Sequence, residues 1–187
     1  MLTIDLAGQS RTNLGKKESK HLRETGMIPC VLYGAGDNTN FTVEAKAFDK
    51  VYITPNVYVV NLNLDGKARK AIVKEIQFHP VTDNVLHVDF LEVSDDKPFA
   101  VKLPIKITGH AEGVKLGGKL KVKMRKMRVS GLLKDLPAEL EIDITSLGLG
   151  QSIKLAALSF EGLTIEEPKS SVVCSVLATR ESNQQGK

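Results

Sequence analysis

Ile76-Gln77-Phe78-His79-Pro80-Val81-Thr82-Asp83-Asn84-Val85-Leu86-His87-Val88-Asp89-Phe90 is the stretch that decides the fold. Apolar residues alternate with hydrogen-bonding ones on both sides of a turn-forming segment, His79 to Asn84. That is the pattern of two strands, each buried on one face. Ile72, Ile76 and Phe78 share one face of the first strand, with Lys74 as the exception, and Leu86, Val88 and Phe90 share one face of the second. Antiparallel pairing about Asp83 sets Ile76 opposite Phe90, Phe78 opposite Val88, Gln77 opposite Asp89 and His79 opposite His87. A slip of one residue would bury the four polar side chains, so the pattern is expected to fix the register.

The strand pattern continues in both directions. Upstream, Val57 to Leu64 and Ala68 to Phe78 flank Asp65-Gly66, a strong hairpin signal. Thr3 to Gly8, Cys30 to Tyr33 and Phe41 to Val43 read as further strands. Gly34-Ala35-Gly36-Asp37-Asn38 reads as a turn, and Glu18 to Glu24 and Glu44 to Val51 as short helices, the first ending at Gly26. Downstream, strands are expected at Phe99 to Thr108, Lys119 to Met124, Met127 to Ser130, Glu139 to Ile144, Ser152 to Lys154 and Val172 to Ala178. Short strands punctuated by glycine suggest a small antiparallel sandwich or open barrel there. The polar segment Val93 to Pro98 is the best boundary. It gives domains at 1–94 and 95–180 and a flexible tail at 181–187.

The chain has 187 residues, enough for one large or two small domains. Its net charge is +4, unevenly spread. Residues 1–96 carry eleven Lys/Arg against thirteen Asp/Glu, a net of −2, and 97–187 carry fifteen against nine, a net of +6. Any nucleic-acid binding must therefore come from clusters rather than from overall charge. No stretch approaches the roughly 20 apolar residues of a membrane span, and Met1 to Leu6 shows no secretory pattern. Cys30 and Cys174 lie 144 positions apart and form neither a metal-like pair nor a disulfide framework, which favours a reducing cytosol.

Four features could carry function. Arg11, Lys16, Lys17, Lys20 and Arg23 form a basic cluster, and Lys16, Lys20 and Arg23, four and three apart, share one side of a helix or the loop leading into it, with Leu22 toward the core. Such a stripe can neutralise phosphates, or be an ordinary solvated loop. The polar hairpin face of Gln77, His79, His87 and Asp89 suits recognition of base or sugar edges. It also suits plain solvation, or a metal held by His79, His87 and Asp89, which only just supply the three ligands needed. Tyr33, before a Gly-rich turn, could stack on a base or ribose, or be a half-buried core residue. Lys115, Lys119, Lys121, Lys123, Arg125, Lys126 and Arg128 form a basic run without an acid. It reads equally as an edge charged against aggregation or as a second phosphate-contacting surface. Its alternation slips near Arg125-Lys126, where a bulge or turn is expected.

Enzyme signals are weak: no phosphate loop, no nucleophile elbow and no His-Glu-x-x-His occur. Cys30, inside an apolar strand after Pro29, reads as core.

Several words then coincide. Arg11-x-x-x-Gly15-Lys16, Leu22-Arg23, Gly26-x-Ile28-Pro29-Cys30-Val31-Leu32-Tyr33-Gly34, Gln77-x-His79-Pro80-Val81-Thr82 and His87-Val88-Asp89-Phe90 resemble a bacterial ribosomal protein family. It is the large-subunit protein that binds 5S rRNA, in the long, two-domain form called the general stress protein Ctc. Leu103-Pro104-Ile105, Gly113-Val114-Lys115-x-Gly117-Gly118, Leu136-Pro137 and Leu147-x-x-Gly150 resemble that form's second domain. The resemblance covers about 1–180.

It implies a mainly β fold: an N-terminal RNA-binding β-barrel with short helices, then an all-β antiparallel C-terminal domain. It implies a non-enzymatic, cytoplasmic, ribosome-associated constituent of the large subunit, monomeric when free, without cofactor, metal or membrane. The 5S rRNA is met mostly through its minor groove. Arg11, Lys16, Lys20, Arg23, Tyr33, Gln77, His79, His87 and Asp89 would line the RNA surface. The second domain is left with neighbouring ribosomal proteins or 23S rRNA as open partners. Where the family often has Arg-Arg, this chain has Lys20-His21, which keeps one charge and loses the bidentate fork. The alternative role is a stress-induced RNA-binding protein that visits ribosomes transiently.

Overall fold

The computed structural model describes residues 1–34, 36 and 38–179. The turn expected over 34–38 lies partly outside the described residues, and the tail expected at 181–187 wholly so. The chain divides into two compact units, Met1–Phe99 and Ala100–Lys187.

In the first unit the elements run β1 (Leu2–Ser10), α1 (Lys16–Glu24), β2 (Met27–Tyr33), β3 (Thr39–Glu44), α2 (Ala45–Tyr52), β4 (Tyr58–Leu64), β5 (Lys67–Phe78) and β6 (Val85–Glu92). The six strands close a barrel in the order β1-β3-β2-β6-β5-β4. Closure is by parallel pairing of β1 with β4, from Leu2 opposite Tyr58 to Gly8 opposite Leu64. β2 and β6 are also parallel neighbours.

Alternation explains the core. Leu6, Ile28, Cys30, Leu32, Phe41, Val43, Val60, Leu62, Val88 and Phe90 project inward from their strands, and α2 adds Phe48 and Val51. Phe48 meets Phe90 edge-on at 6.0 Å, and Phe41 meets the same ring at 5.5 Å. Burying a side chain of this size stabilises by about 1.5–3 kcal/mol. Gly8 allows close approach: a Cβ there would stand 2.7 Å from Leu64 Cδ2 and 2.9 Å from Phe41 Cδ2. Asp65 and Gly66, at φ 51° and 84°, make the tight hairpin turn between β4 and β5.

The β5–β6 hairpin forms, but two residues away from the expected register. Gln77 faces His87, Ile76 faces Val88 and Glu75 faces Asp89. A shift of two keeps every side chain on its side of the sheet, so the polar face survives. Two bulges account for the difference. Lys74 is the extra residue where the register shifts between Val73 and Glu75. Ala71 and Val73 meet the barrel core before it and Ile76 after it. Ile72 therefore lies on the other face from Ile76, correcting the expected grouping, and is buried there. Leu86 is the extra residue of the second shift, and Val85 takes its place in the core. Phe78 is 44% exposed, with its ring against Tyr52 at 5.6 Å.

The second unit, entered one residue into β7 (Phe99–Thr108), goes on with a single turn α3 (Glu112–Lys115), β8 (Lys119–Val122), β9 (Lys126–Gly131), β10 (Leu140–Asp143), β11 (Ser152–Lys154), a 3-10 turn (Leu155–Ala157), β12 (Thr164–Ile165) and β13 (Val172–Leu177). One sheet has the order β10-β7-β9-β12 and the other β11-β13-β8. The expectation of an antiparallel domain fails at one pair: β10 runs parallel to β7, with Leu140 opposite Ile105. The chain bends at Arg125 between β8 and β9, where the alternation slips. The Arg125 carbonyl there accepts from Ile105 N–H at 2.9 Å, so the basic run leaves one sheet and enters the other.

Two glycine words of the second half meet in space. Gly113 N–H donates to the Leu147 carbonyl at 2.9 Å, and Gly118 N–H to the Gly113 carbonyl at 2.9 Å. A Cβ on Gly113 would lie 2.6 Å from the Gly148 backbone, so only glycine fits without a shift.

Candidate nucleic-acid interface

Three neighbouring strands present the polar face. The order β2-β6-β5 sets Tyr33 on the first, His87 and Asp89 on the second, and Glu75 and Gln77 on the third. Their inward neighbours Leu32, Val88, Phe90 and Ile76 are held by the barrel core, which fixes these five side chains outward. Val31 stands opposite Asp89, and Tyr33 opposite Leu91.

His87 Nδ1 lies 2.8 Å from Asp89 Oδ1, and both side chains are about a quarter exposed, at 27% and 28%. The approach lacks hydrogen-bond geometry, so among the described residues the buried Nδ1 has no hydrogen-bond partner. Burial raises the Tyr33 phenol above its ordinary range, and the carboxylates of Asp89 and Glu75 raise it further. Tyr33 therefore stays protonated at neutral pH and offers an O–H donor. The face thus combines donors at Tyr33 and Gln77 with acceptors at Gln77, Asp89 and Glu75.

The basic stripe adjoins this face. α1 packs on β2. Arg23 Nη1 donates to the Leu86 carbonyl at 3.3 Å. Leu86 is the bulge residue of β6, so the irregularity that displaces it also supplies the acceptor that tethers α1 beside His87 and Asp89. Lys16 and Lys20 are exposed on the same helix. Lys20 reaches Glu24 only at 4.0 Å, with both side chains largely exposed. Such a pair contributes little and leaves the lysine available. Leu22, expected toward the core, is half-buried, because α1 is a surface helix with no fully buried residue.

Arg11 follows β1 and is half-buried. Its Nη1 reaches Ser19 Oγ of α1 at 3.5 Å, while its buried Nε has no hydrogen-bond partner among the described residues. It also lies close enough to Cys30 to oppose the effect of burial on that thiol, but burial wins and pushes the thiol far up.

His79 is placed differently. The register removes it from His87, and its Nδ1 accepts from the N–H groups of Val81 at 3.3 Å and Thr82 at 3.2 Å. It organises its own turn, with its backbone N–H on the Asn84 carbonyl at 2.8 Å. The His79–His87–Asp89 trio considered for a metal is not assembled, and no His/Cys/Asp/Glu group among the described residues could hold a metal ion. Glu75 is the residue sequence reasoning missed. Lys74, out of phase in an otherwise alternating strand, was the signal of the bulge that sets Glu75 against Asp89.

Comparison with known proteins agrees with this architecture. The model described as the Ribosomal L25p family matches residues 6–90, and that described as Ribosomal protein TL5, C-terminal domain, matches 98–180. The large ribosomal subunit protein bL25 of Porphyromonas gingivalis is 47% identical over 182 residues, covering 96% of this chain and 95% of its own. The protein of that name from Phocaeicola vulgatus is 44% identical over 187 residues, covering 96% and 94%. With relatives this similar along nearly its whole length, the chain belongs to the ribosomal L25p family and carries the TL5-type second domain.

Proposed function

We propose that this chain is a structural, non-enzymatic constituent of the large ribosomal subunit that binds 5S rRNA through its first unit. The observation that carries the reading is the Arg23–Leu86 tether, which sets a cationic helix beside a face of hydrogen-bonding side chains. Lys16, Lys20, Arg11 and Arg23 neutralise phosphates. Gln77, His87 and Asp89 meet base edges and 2′-hydroxyls, and Tyr33 packs at the contact. A wide, shallow RNA minor groove suits a β surface of this kind. Asp89 and Glu75 accept from amino or hydroxyl groups and disfavour phosphate directly above them, which orients the RNA so that its backbone runs over α1. The name of the relatives, large ribosomal subunit protein, supports the ribosomal setting.

The test is binding of the full chain to 5S rRNA at about 0.15 M salt, with tRNA as competitor and Arg23→Ala as control. Binding that survives competitor and falls in Arg23→Ala supports the assignment. Binding lost to competitor reduces the face to a generic cation patch and overturns it.

A further inference from the structure

The basic run of the second unit is sorted by the fold into answered and unanswered charges. Arg128 Nε is 2.7 Å from Glu166 Oε2, and its backbone N–H donates to Glu167 at 3.0 Å. Lys119, Lys121, Lys123, Arg125 and Lys126 are exposed, and among the described residues none of them is in an ion pair.

Three of these lie in a line. Among the described residues β8 is the edge strand of its sheet, paired only with β13. Leu120 packs inward against the cluster of Cys174 and Val176, so Lys119 and Lys121 point outward. Lys123 N–H donates to the Val173 carbonyl at 2.9 Å, which carries the same alternation one step past the strand. Residues two apart on a strand are about 6.6–6.8 Å apart, the order of the separation between successive phosphates of one nucleic-acid strand. On the neighbouring strand Leu177 stands opposite Lys119 and Ser175 opposite Lys121, and Ser152 lies beyond Ser175. No acid interrupts the row. Edge protection needs charge on the strand, but gives no reason for acids to be missing from residues 119–126 and from the neighbouring strands β13 and β11.

We infer that β8 and the bend after it form a second RNA-contacting surface, in which Lys119, Lys121 and Lys123 take successive phosphates of one strand and Arg125 and Lys126 extend the contact. Lysine suits this as a point charge for phosphate, without the planar fork that base or carboxylate recognition favours. The inference rests on the second unit alone and stands or falls separately from the 5S rRNA reading.

The experiment uses the full chain and a labelled oligouridylate as a bare phosphodiester probe, titrated over a range of salt. The triple variant Lys119→Ser, Lys121→Ser, Lys123→Ser is expected to bind about tenfold more weakly at low salt. Its log K against log salt should be flatter by about two, because three lost contacts at about 0.7 each sum to that. The triple Lys→Arg variant keeps the charge and is expected to keep the affinity. The same loss should appear in an Arg23→Ala background, which separates the row from the first unit. Should the triple serine variant fail to fold, Lys121→Ser alone is expected to flatten the slope by about 0.7. Unchanged affinity and slope in the serine variants overturn the inference, and do so equally if those variants self-associate, since the row would then be edge protection only.

Discussion

Glu75 and Asp89 stand directly opposite one another across β5 and β6, two carboxylates on the outward face of the barrel. Opposed like charges destabilise a strand pair. Glu75→Gln is expected to stabilise the free protein by about 0.2–1 kcal/mol. Adding Asp89→Asn should bring little more, because one substitution already removes the repulsion. Urea denaturation of the two variants measures this. No rise in midpoint for Glu75→Gln would show that the two charges do not strain the free fold.

Arg23 and His87 are expected to fail in different ways. Arg23→Ala removes a phosphate contact and the tether to Leu86, so 5S rRNA affinity should fall roughly tenfold and the salt slope flatten by about one. His87→Ala removes a contact to a base or sugar edge rather than to a phosphate, so affinity should fall by a similar factor with little change in slope. Titrations at three or more salt concentrations separate the two. An identical slope change in both would mean that His87 meets phosphate rather than an edge.

His79 Nδ1 is taken up by its own turn. His79→Ala frees the N–H groups of Val81 and Thr82 and should cost about 0.5–1.5 kcal/mol of stability, with RNA affinity unchanged. A loss of affinity without a loss of stability would return His79 to the RNA surface.

The buried thiol sets a limit on alkaline stability. Burial holds the Cys30 thiol far above the 9.0 of an exposed cysteine. Above about pH 9 the unfolded chain releases a proton that the folded chain retains, so stability is full below that pH and falls as pH rises beyond it. The slope for this group approaches about 1.4 kcal/mol per pH unit. Denaturation at pH 8 and pH 10 should show the loss, and iodoacetamide at pH 8 should modify Cys30 only after unfolding. Rapid modification in the folded state would contradict the sealed barrel core.

What the sequence made legible follows from local periodicity. Phe99–Thr108 and Ser152–Lys154 form the strands that their alternation suggests, and Asp65-Gly66 makes its turn. Bulges defeat alternation because they change phase without changing composition; only Lys74 betrayed one, and nothing marked Leu86. The two-residue β12 and the one-turn α3 are too short to have a period. The parallel pairs β1–β4, β2–β6 and β10–β7 join distant segments and leave no local trace. On the outward polar face, side-chain identity pointed to Tyr33, Gln77, His87 and Asp89, while the opposition of Glu75 to Asp89 and the tether of Arg23 depended on the register.

The parallel closure of the barrel has a consequence for synthesis. The first strand made, β1, must wait for β4 before one of its edges is satisfied, and β2 must wait for β6. A nascent chain cannot seal this fold until about residue 92 has been added. Such long-range pairing makes folding slow relative to local hairpins and helices. Until then the two emerged edges need shielding from other chains. The Leu86 carbonyl that anchors Arg23 is among the last pieces of the barrel to be made, so the cationic helix gains its seat only as the barrel closes.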